Sequence, residues 1–286
     1  MITGKTKLLG VIGYPIEHSL SPVMHNAAIA HLGLDYTYLP FAVQPEALRQ
    51  AVEGFAAIGL RGFNITIPHK QAILPLLPEV SDTARAIGAV NTVWWTENGW
   101  AGTNTDVEGF LAPLRELQQD WQTQSAVILG NGGAARAVVA GCRLLGFGEI
   151  HVVGRDDEKL GDFLGSWLDS PLGVSLKVHT WSSLPRLLPQ AGLLVNTTPV
   201  GMSPQAERSP LTSAEAESLP PNLIAYDLIY NPRPTLFLQQ AAAKGAIALD
   251  GLEMLVQQGA AALQIWLNQP VPVDVMRRSL QEYLGL

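Results

Sequence analysis

Residues 125–136 read SAVILGNGGAAR, and no other stretch limits the fold as tightly. The apolar run Ala126-Val127-Ile128-Leu129 meets the glycine cluster Gly130-Asn131-Gly132-Gly133, and a small-residue helix pattern follows over 134–145. This is the strand–turn–helix of a dinucleotide site, with Gly130, Gly132 and Ala135 in the G-x-G-x-x-A slots. Gly130 permits the tight turn, Gly132 lets the backbone approach a pyrophosphate, and Ala135 lets the helix lie close to the strand. Around Asn131, Gly133 and Ala134 the helix N-terminus offers free N–H groups and partial positive charge to the phosphates. Glycine-rich turns after buried strands are common, so the surroundings must agree.

The second strand of this unit is expected over 149–153, followed by Gly154-Arg155-Asp156. A site for NAD usually places an acid at that strand end, to bond the ribose 2′-OH. Here Gly154 stands in that place and Arg155 follows. An arginine pairs well with a 2′-phosphate, and Lys159 adds charge. NADP is therefore the expected cofactor, with NAD as the alternative. Asp156 would repel a phosphate if it pointed inward. The competing reading is that Arg155 and Lys159 are ordinary loop and helix-start charges.

The 286 residues suit one large or two modest domains, and 47% hydrophobic against 15% charged residues supplies a packed core. A net charge of -7 with no basic run argues against a nucleic-acid partner. The single cysteine, Cys142, allows no disulfide within the chain and fits a reducing cytoplasm. The first residues carry no sustained apolar region and no small-residue cleavage site, so no signal peptide is expected. No apolar run approaches the roughly 20 residues of a membrane span.

Strands are expected over 8–14, 36–43 and 62–67, with helices from Ser21 and over 45–58 between them. That alternation points to an α/β fold with parallel pairing. A strand pair, 91–96 and 100–103, surrounds the turn Glu97-Asn98-Gly99. After a helix at 106–117, further strands fall at 176–180, 193–196, 223–228 and 247–249, and helices at 235–244, 252–267 and 273–284. Polar residues gather where strands end: Ser19, Ser21, Asn64, Thr66, Lys70, Asn91, Thr105 and Asp106. Ligands of open α/β sheets bind beyond such ends, and this set suits a small polyhydroxylated acid. Taken singly, Ser21 and Asp106 read as helix N-caps and Lys70 as a surface lysine. His18, His25 and His69 show no metal-ligand spacing, and no metal site is expected.

Together the motifs resemble the shikimate dehydrogenase family along essentially the whole chain. The matching stretches are Gly13-Tyr14-Pro15-Ile16, His18-Ser19-Leu20-Ser21-Pro22, His25-Asn26, Asn64-Ile65-Thr66-Ile67-Pro68-His69-Lys70 and Gly88-Ala89-Val90-Asn91-Thr92. Gly102-Thr103-Asn104-Thr105-Asp106, Asn196-Thr197-Thr198-Pro199-Val200-Gly201-Met202, Tyr226-Asp227, Tyr230-Asn231-Pro232, Asp250-Gly251 and Met254-Leu255-Val256-Gln257-Gln258 complete the set. Each stretch is modest alone; in this order they are highly specific.

The resemblance implies a substrate domain of 1–105 and 252–286, clamped around a cleft by a Rossmann-like NADP-binding domain of 106–251. It implies reversible reduction of 3-dehydroshikimate by NADPH to shikimate, in the biosynthesis of chorismate and the aromatic amino acids. By motif, Lys70 and Asp106 become the catalytic pair, and Ser19 and Ser21 bind the substrate carboxylate. Asn64, Thr66, Asn91 and Gln258 hold ring hydroxyls, and Tyr230 lines the site. Thr197, Met202 and Gly251 join the glycine loop around the cofactor. The chemistry agrees: ketone reduction needs a hydride donor, and a lysine ammonium can stabilise and protonate the developing alkoxide. Which of Lys70 and Asp106 formally carries the proton stays open.

Two departures stand out. The family often has Asn-Arg-Thr where this chain has Gly154-Arg155-Asp156, and alanine where it has Asn131. The alternatives are a quinate/shikimate dehydrogenase using NAD as well, a non-catalytic dinucleotide-binding sensor and a folate dehydrogenase of similar layout. The expected partner is shikimate or 3-dehydroshikimate, with no nucleic acid and no membrane, for a monomer or homodimer.

Overall fold

The computed structural model describes residues 2–168, 170, 172 and 176–286. The chain divides into two compact units, Met1–Gly109 with Leu255–Leu286, and Phe110–Met254.

The first unit holds β1 (Lys7–Gly13), β2 (Tyr36–Ala42), β3 (Gly62–Ile65), β4 (Glu79–Val80), β5 (Thr92–Thr96) and β6 (Gly99–Thr103), in sheet order β2-β1-β3-β5-β6-β4. β1 runs parallel to β2 and β3, as the strand–helix alternation predicts. β5 is antiparallel to both β3 and β6; the two-residue turn Glu97-Asn98 reverses the chain between β5 and β6, ahead of Gly99, whose φ is +106°. The sheet is therefore mixed. The expected helix over 45–58 opens as a 3₁₀ turn at Pro45–Ala47 and becomes α-helical only over Leu48–Ala57. It buries Leu48, Val52 and Phe55 on one face, against Phe63, Ile65 and Val93 of the sheet.

The C-terminal helices are Leu252–Leu267 and Val273–Leu284. Trp266 Nε1 donates to the Val93 carbonyl at 2.9 Å, and its indole lies over Gly62, where any Cβ would collide with it. A missing side chain on β3 thus seats the helix on the sheet. Gly259 likewise leaves room for Met24. His25 stacks on Tyr38 with ring centroids 4.2 Å apart, and neither of its ring nitrogens has a hydrogen-bond partner among the described residues. His69 is satisfied, its Nε2 lying 2.7 Å from the Val43 carbonyl.

The second unit holds β7 (Ser125–Leu129), β8 (Glu149–Gly154), β9 (Leu176–Thr180), β10 (Leu193–Asn196), β11 (Ile224–Asp227) and β12 (Ile247–Leu249). Their order is β12-β11-β10-β7-β8-β9, with every pairing parallel. Counted within the unit this is 6-5-4-1-2-3, the order of a dinucleotide-binding sheet, and it reverses direction between β7 and β10. Buried aliphatic residues such as Val127, Leu129, Leu194 and Ala225 form its core. Among the described residues no helix is long and apolar enough to cross a membrane.

Asp227, fully buried at the end of β11, ties the loops beyond β10 and β11 together. Its Oδ1 accepts from Asn196 Nδ2 at 3.0 Å and from the Ile229 N–H at 3.1 Å, and its Oδ2 from Thr235 Oγ1 at 2.6 Å. Asn196 in turn accepts from the Thr198 N–H and hydroxyl. Burial pushes the Asp227 carboxyl up from 3.8 to about 6. The folded chain therefore keeps this proton where the unfolded chain has lost it, and stability falls as pH rises from about 4 to about 6. Relative to Asp227→Asn, which cannot titrate, the wild-type chain should lose on the order of 2 kcal/mol over that window. Paired urea melts at the two pH values measure this; a constant difference between the proteins would contradict it.

Candidate active site

The carboxyl end of β3 runs through Thr66-Ile67-Pro68 into the short helix His69–Ala72, which carries Lys70. The backbone holds this helix in place, since the Val90 N–H donates to the Lys70 carbonyl at 2.8 Å. Beyond β6, Asn104 turns the chain: its Nδ2 donates to the Ala89 carbonyl, and its Oδ1 accepts the Asp106 N–H at 3.0 Å. Asp106 then opens the helix Asp106–Glu116, where the helix dipole favours a negative charge. Lys70 Nζ and Asp106 Oδ2 meet at 2.6 Å, with side chains only 14% and 7% exposed.

The readings of Lys70 as a surface lysine and of Asp106 as an N-cap both fail. Lys70 sits in the ion pair, and both Asp106 oxygens are taken by side chains. Oδ1 accepts from Asn91 Nδ2 at 2.9 Å. The same amide reaches Thr105 Oγ1 at 3.0 Å and Gln258 Oε1 at 3.3 Å, while Asn91 Oδ1 accepts the Thr105 N–H at 2.7 Å. Gln258 Nε2 is anchored on the Leu255 carbonyl. Asn64 joins from β3, donating to the Asn91 carbonyl and to Thr92 Oγ1, both at 3.1 Å. Its Oδ1 accepts the Tyr38 hydroxyl at 2.7 Å.

Ser21 also departs from the capping expectation. Leu20 occupies the N-cap of the helix Ser21–His31, and no side chain caps it. The Ser21 hydroxyl bonds the buried Tyr38 phenol instead, and its N–H donates to Ser19 Oγ at 3.4 Å. Burial drives the Tyr38 phenol well above its ordinary range, so it stays a hydrogen-bond donor.

The first unit thus joins Ser19, Ser21, Asn64, Lys70, Asn91, Asp106 and Gln258 in one polar network. Thr66 stands half-buried beside Gly13 and outside these bonds. Tyr230 belongs to the second unit, beyond β11. Tyr38, Thr92 and Thr105 complete the network; Thr105 belongs to the polar set at the strand ends, while the parts of Tyr38 and Thr92 are revealed only by long-range contacts.

In the second unit the turn after β7 has the geometry its glycines suggest. Gly130 takes φ +105°, and a Cβ there would stand 2.7 Å from Thr197 Oγ1. The Gly130 N–H bonds the Val153 carbonyl, and Thr197 donates its N–H and hydroxyl to the Leu129 carbonyl at 3.0 and 2.7 Å. The loops after β7 and β10 therefore meet at the point where the strand order reverses. Gly132 is the N-cap of the helix Gly133–Leu145, which starts one residue earlier than expected. No side chain caps it, and the space where a Gly132 Cβ would stand is open. Asn131 is half-buried beside it, and Ala135 is fully buried against the sheet. The backbone N–H groups are thus left for a phosphate, and the turn fits a dinucleotide pyrophosphate.

Arg155 is exposed just past β8. Asp156 caps the helix Asp157–Gly165, its Oδ1 accepting the Lys159 N–H at 3.1 Å, and this bond holds its carboxyl below the usual range. Its Oδ2 lies 3.5 Å from Lys159 Nζ, so Lys159 shares its charge with Asp156 across an exposed, weak pair. Thr197 is half-buried and Met202 exposed in the loop after β10. Gly251 is buried, and a Cβ there would strike the Leu228 carbonyl, so packing alone demands glycine at this position.

The chain is similar to known proteins along its whole length. The family described as "Shikimate dehydrogenase substrate binding domain" matches residues 11–93, and "Shikimate 5'-dehydrogenase C-terminal domain" matches 251–281. A protein of Trichormus variabilis named shikimate dehydrogenase (NADP(+)) is 65% identical over 288 residues, covering 100% of both chains. A crystal structure of a shikimate dehydrogenase with NADP+ superposes with TM-score 0.89 at 37% identity, over 99% of this chain and 98% of that one. The Thermus thermophilus enzyme, crystallised with NADP(H) and shikimate, gives 0.84 at 35% identity, over 97% and 99%. With likeness of this depth along its whole length, the chain belongs to the shikimate dehydrogenase family.

Proposed function

We propose that this chain catalyses the reversible, NADP-dependent reduction of 3-dehydroshikimate to shikimate. The observation that carries this reading is the buried Lys70–Asp106 pair, set among amide and hydroxyl groups that suit a small polyol acid. When bound, NADPH supplies the hydride. The Lys70 ammonium stabilises the developing alkoxide and delivers its proton, in a setting where few waters compete. Asp106 holds that ammonium in place. Asn91 is a positioning residue: its amide holds Asp106, and its oxygen is already taken by the Thr105 backbone.

Ser19 and Ser21 would bind the substrate carboxylate, while Asn64, Thr66 and Gln258 would meet ring hydroxyls and Tyr230 would line the site. We assign substrate binding to 1–105 with 252–286, and the dinucleotide to 106–251. There Gly130, Asn131, Gly132, Gly133 and Ala134 would cradle the pyrophosphate, with Thr197, Met202 and Gly251 around the remainder. Arg155 would pair with the 2′-phosphate, with Lys159 in support. A cytoplasmic location accords with Cys142, which is buried and unpaired.

Lys70→Ala and Asp106→Asn should each lower kcat with shikimate and NADP+ by on the order of 10²–10⁴. NADPH binding, read by fluorescence, should stay near wild type; full turnover in either variant would overturn the assignment. Arg155→Ala should raise KM for NADP+ by about tenfold or more while leaving use of NAD+ near wild type. An equal fall with both cofactors would remove Arg155 from the phosphate site.

A further inference from the structure

The dinucleotide belongs at the carboxyl ends of the parallel strands, whereas a separate pocket of about 340 Å³ opens at the amino ends of two of them. Ser125 and Glu149, the first residues of β7 and β8, both line it. Strand length puts it about 16 Å from the glycine turn. Its wall is polar: beside Glu149 stand His151 from β8, Lys177 and His179 from β9, Arg186 from the helix Leu184–Leu187, and Gln190. An apolar ligand would bury little there.

The charges do not balance. Glu149 Oε1 pairs with Lys177 Nζ at 2.6 Å, and Arg186 adds a second permanent cation. The loop 122–125 on the other side carries no charged side chain. His151 Nε2 lies 3.1 Å from Glu149 Oε2; a carboxylate only accepts, so this nitrogen carries hydrogen. The other nitrogen, His151 Nδ1, lies 3.0 Å from His179 Nε2. In the neutral pair His179 Nε2–H donates to it. His179 Nδ1 is then the bare ring nitrogen, and it has no partner among the described residues. A proton arriving there from solvent breaks no hydrogen bond and adds a third cation to the pocket. Burial holds both imidazoles below the ordinary histidine range; Glu149 opposes this at His151, while Lys177 and Arg186 add to it at both rings and His151 adds to it at His179. An anion would offset those cations and favour the protonated pair. No group of three or more His, Cys, Asp or Glu among the described residues could hold a metal ion.

We propose that this pocket is a second, non-catalytic site for a small oxyanion of the phosphate class, bound by Lys177, Arg186 and the His151–His179 pair with uptake of one proton. Nothing in the catalytic reading depends on it.

The test is an NMR titration of the histidine rings of the full chain, with inorganic phosphate as the probe. The chain has six histidines, so His151→Gln and His179→Gln suffice to identify the two signals. Phosphate should shift both signals and raise their titration midpoint by about one pH unit. Binding should be tighter at about pH 6 than at about pH 8. Joint substitution of the exposed cations, Lys177→Gln with Arg186→Gln, should abolish the shift, while Arg155→Ala should leave it intact. Signals that phosphate does not move would overturn the proposal. So would a shift that survives the double substitution, or one that vanishes in Arg155→Ala and so belongs to the dinucleotide end.

Discussion

A lysine and an aspartate in contact away from water, Lys70 and Asp106, set the terms for the rest of the first unit. Desolvating two charges costs several kcal/mol each, and their attraction repays this only when the remaining hydrogen-bonding positions are also filled. Asn91 fills one of them, and Thr105, Thr92, Asn64 and Gln258 hold Asn91. Those residues come from the end of β3, the start of β5, the end of β6 and the C-terminal helix. The charged pair thus needs four remote segments to converge, and Gly62 and Trp266 supply the fit that brings the last of them in.

The second unit solves a different problem by the same logic. Its sheet reverses order between β7 and β10, so the loops beyond those strands must sit side by side without filling the space a pyrophosphate needs. Gly130 achieves the first by turning with a positive φ against Thr197, and Gly132 the second by leaving its helix end uncapped. Asp227 and Asn196 fix the loops on the far side, at the expense of a buried carboxyl. At the opposite ends of the same strands a polar, cation-rich pocket remains that this chemistry does not use.

How much of this the sequence discloses follows from range. The glycine turn, the hairpin at Glu97-Asn98 and the face of Leu48, Val52 and Phe55 are local, and local pattern finds them. Lys70 and Asp106 lie 36 positions apart, and no spacing rule connects them; only likeness to a family does. Ser21 and Asp106 both look like helix caps because their types and positions favour capping. In the folded chain Tyr38 and Lys70 take their side chains, and the tertiary partner outweighs the local preference. β4 and the helix Asp82–Ile87 are too short to show a period. Asn91 as the holder of Asp106, rather than a free hydrogen-bonding group, is visible only once Thr105 and Gln258 are seen around it.

If Asn91 acts through Asp106, a double-mutant cycle on turnover of shikimate shows it most directly. Asn91→Ala should lower kcat in the wild-type chain by on the order of tenfold or more, and add little in the Asp106→Asn background, because two residues acting as a unit lose their effect together. Independent, multiplying losses from the two substitutions would contradict this and return Asn91 to a separate contact with the substrate.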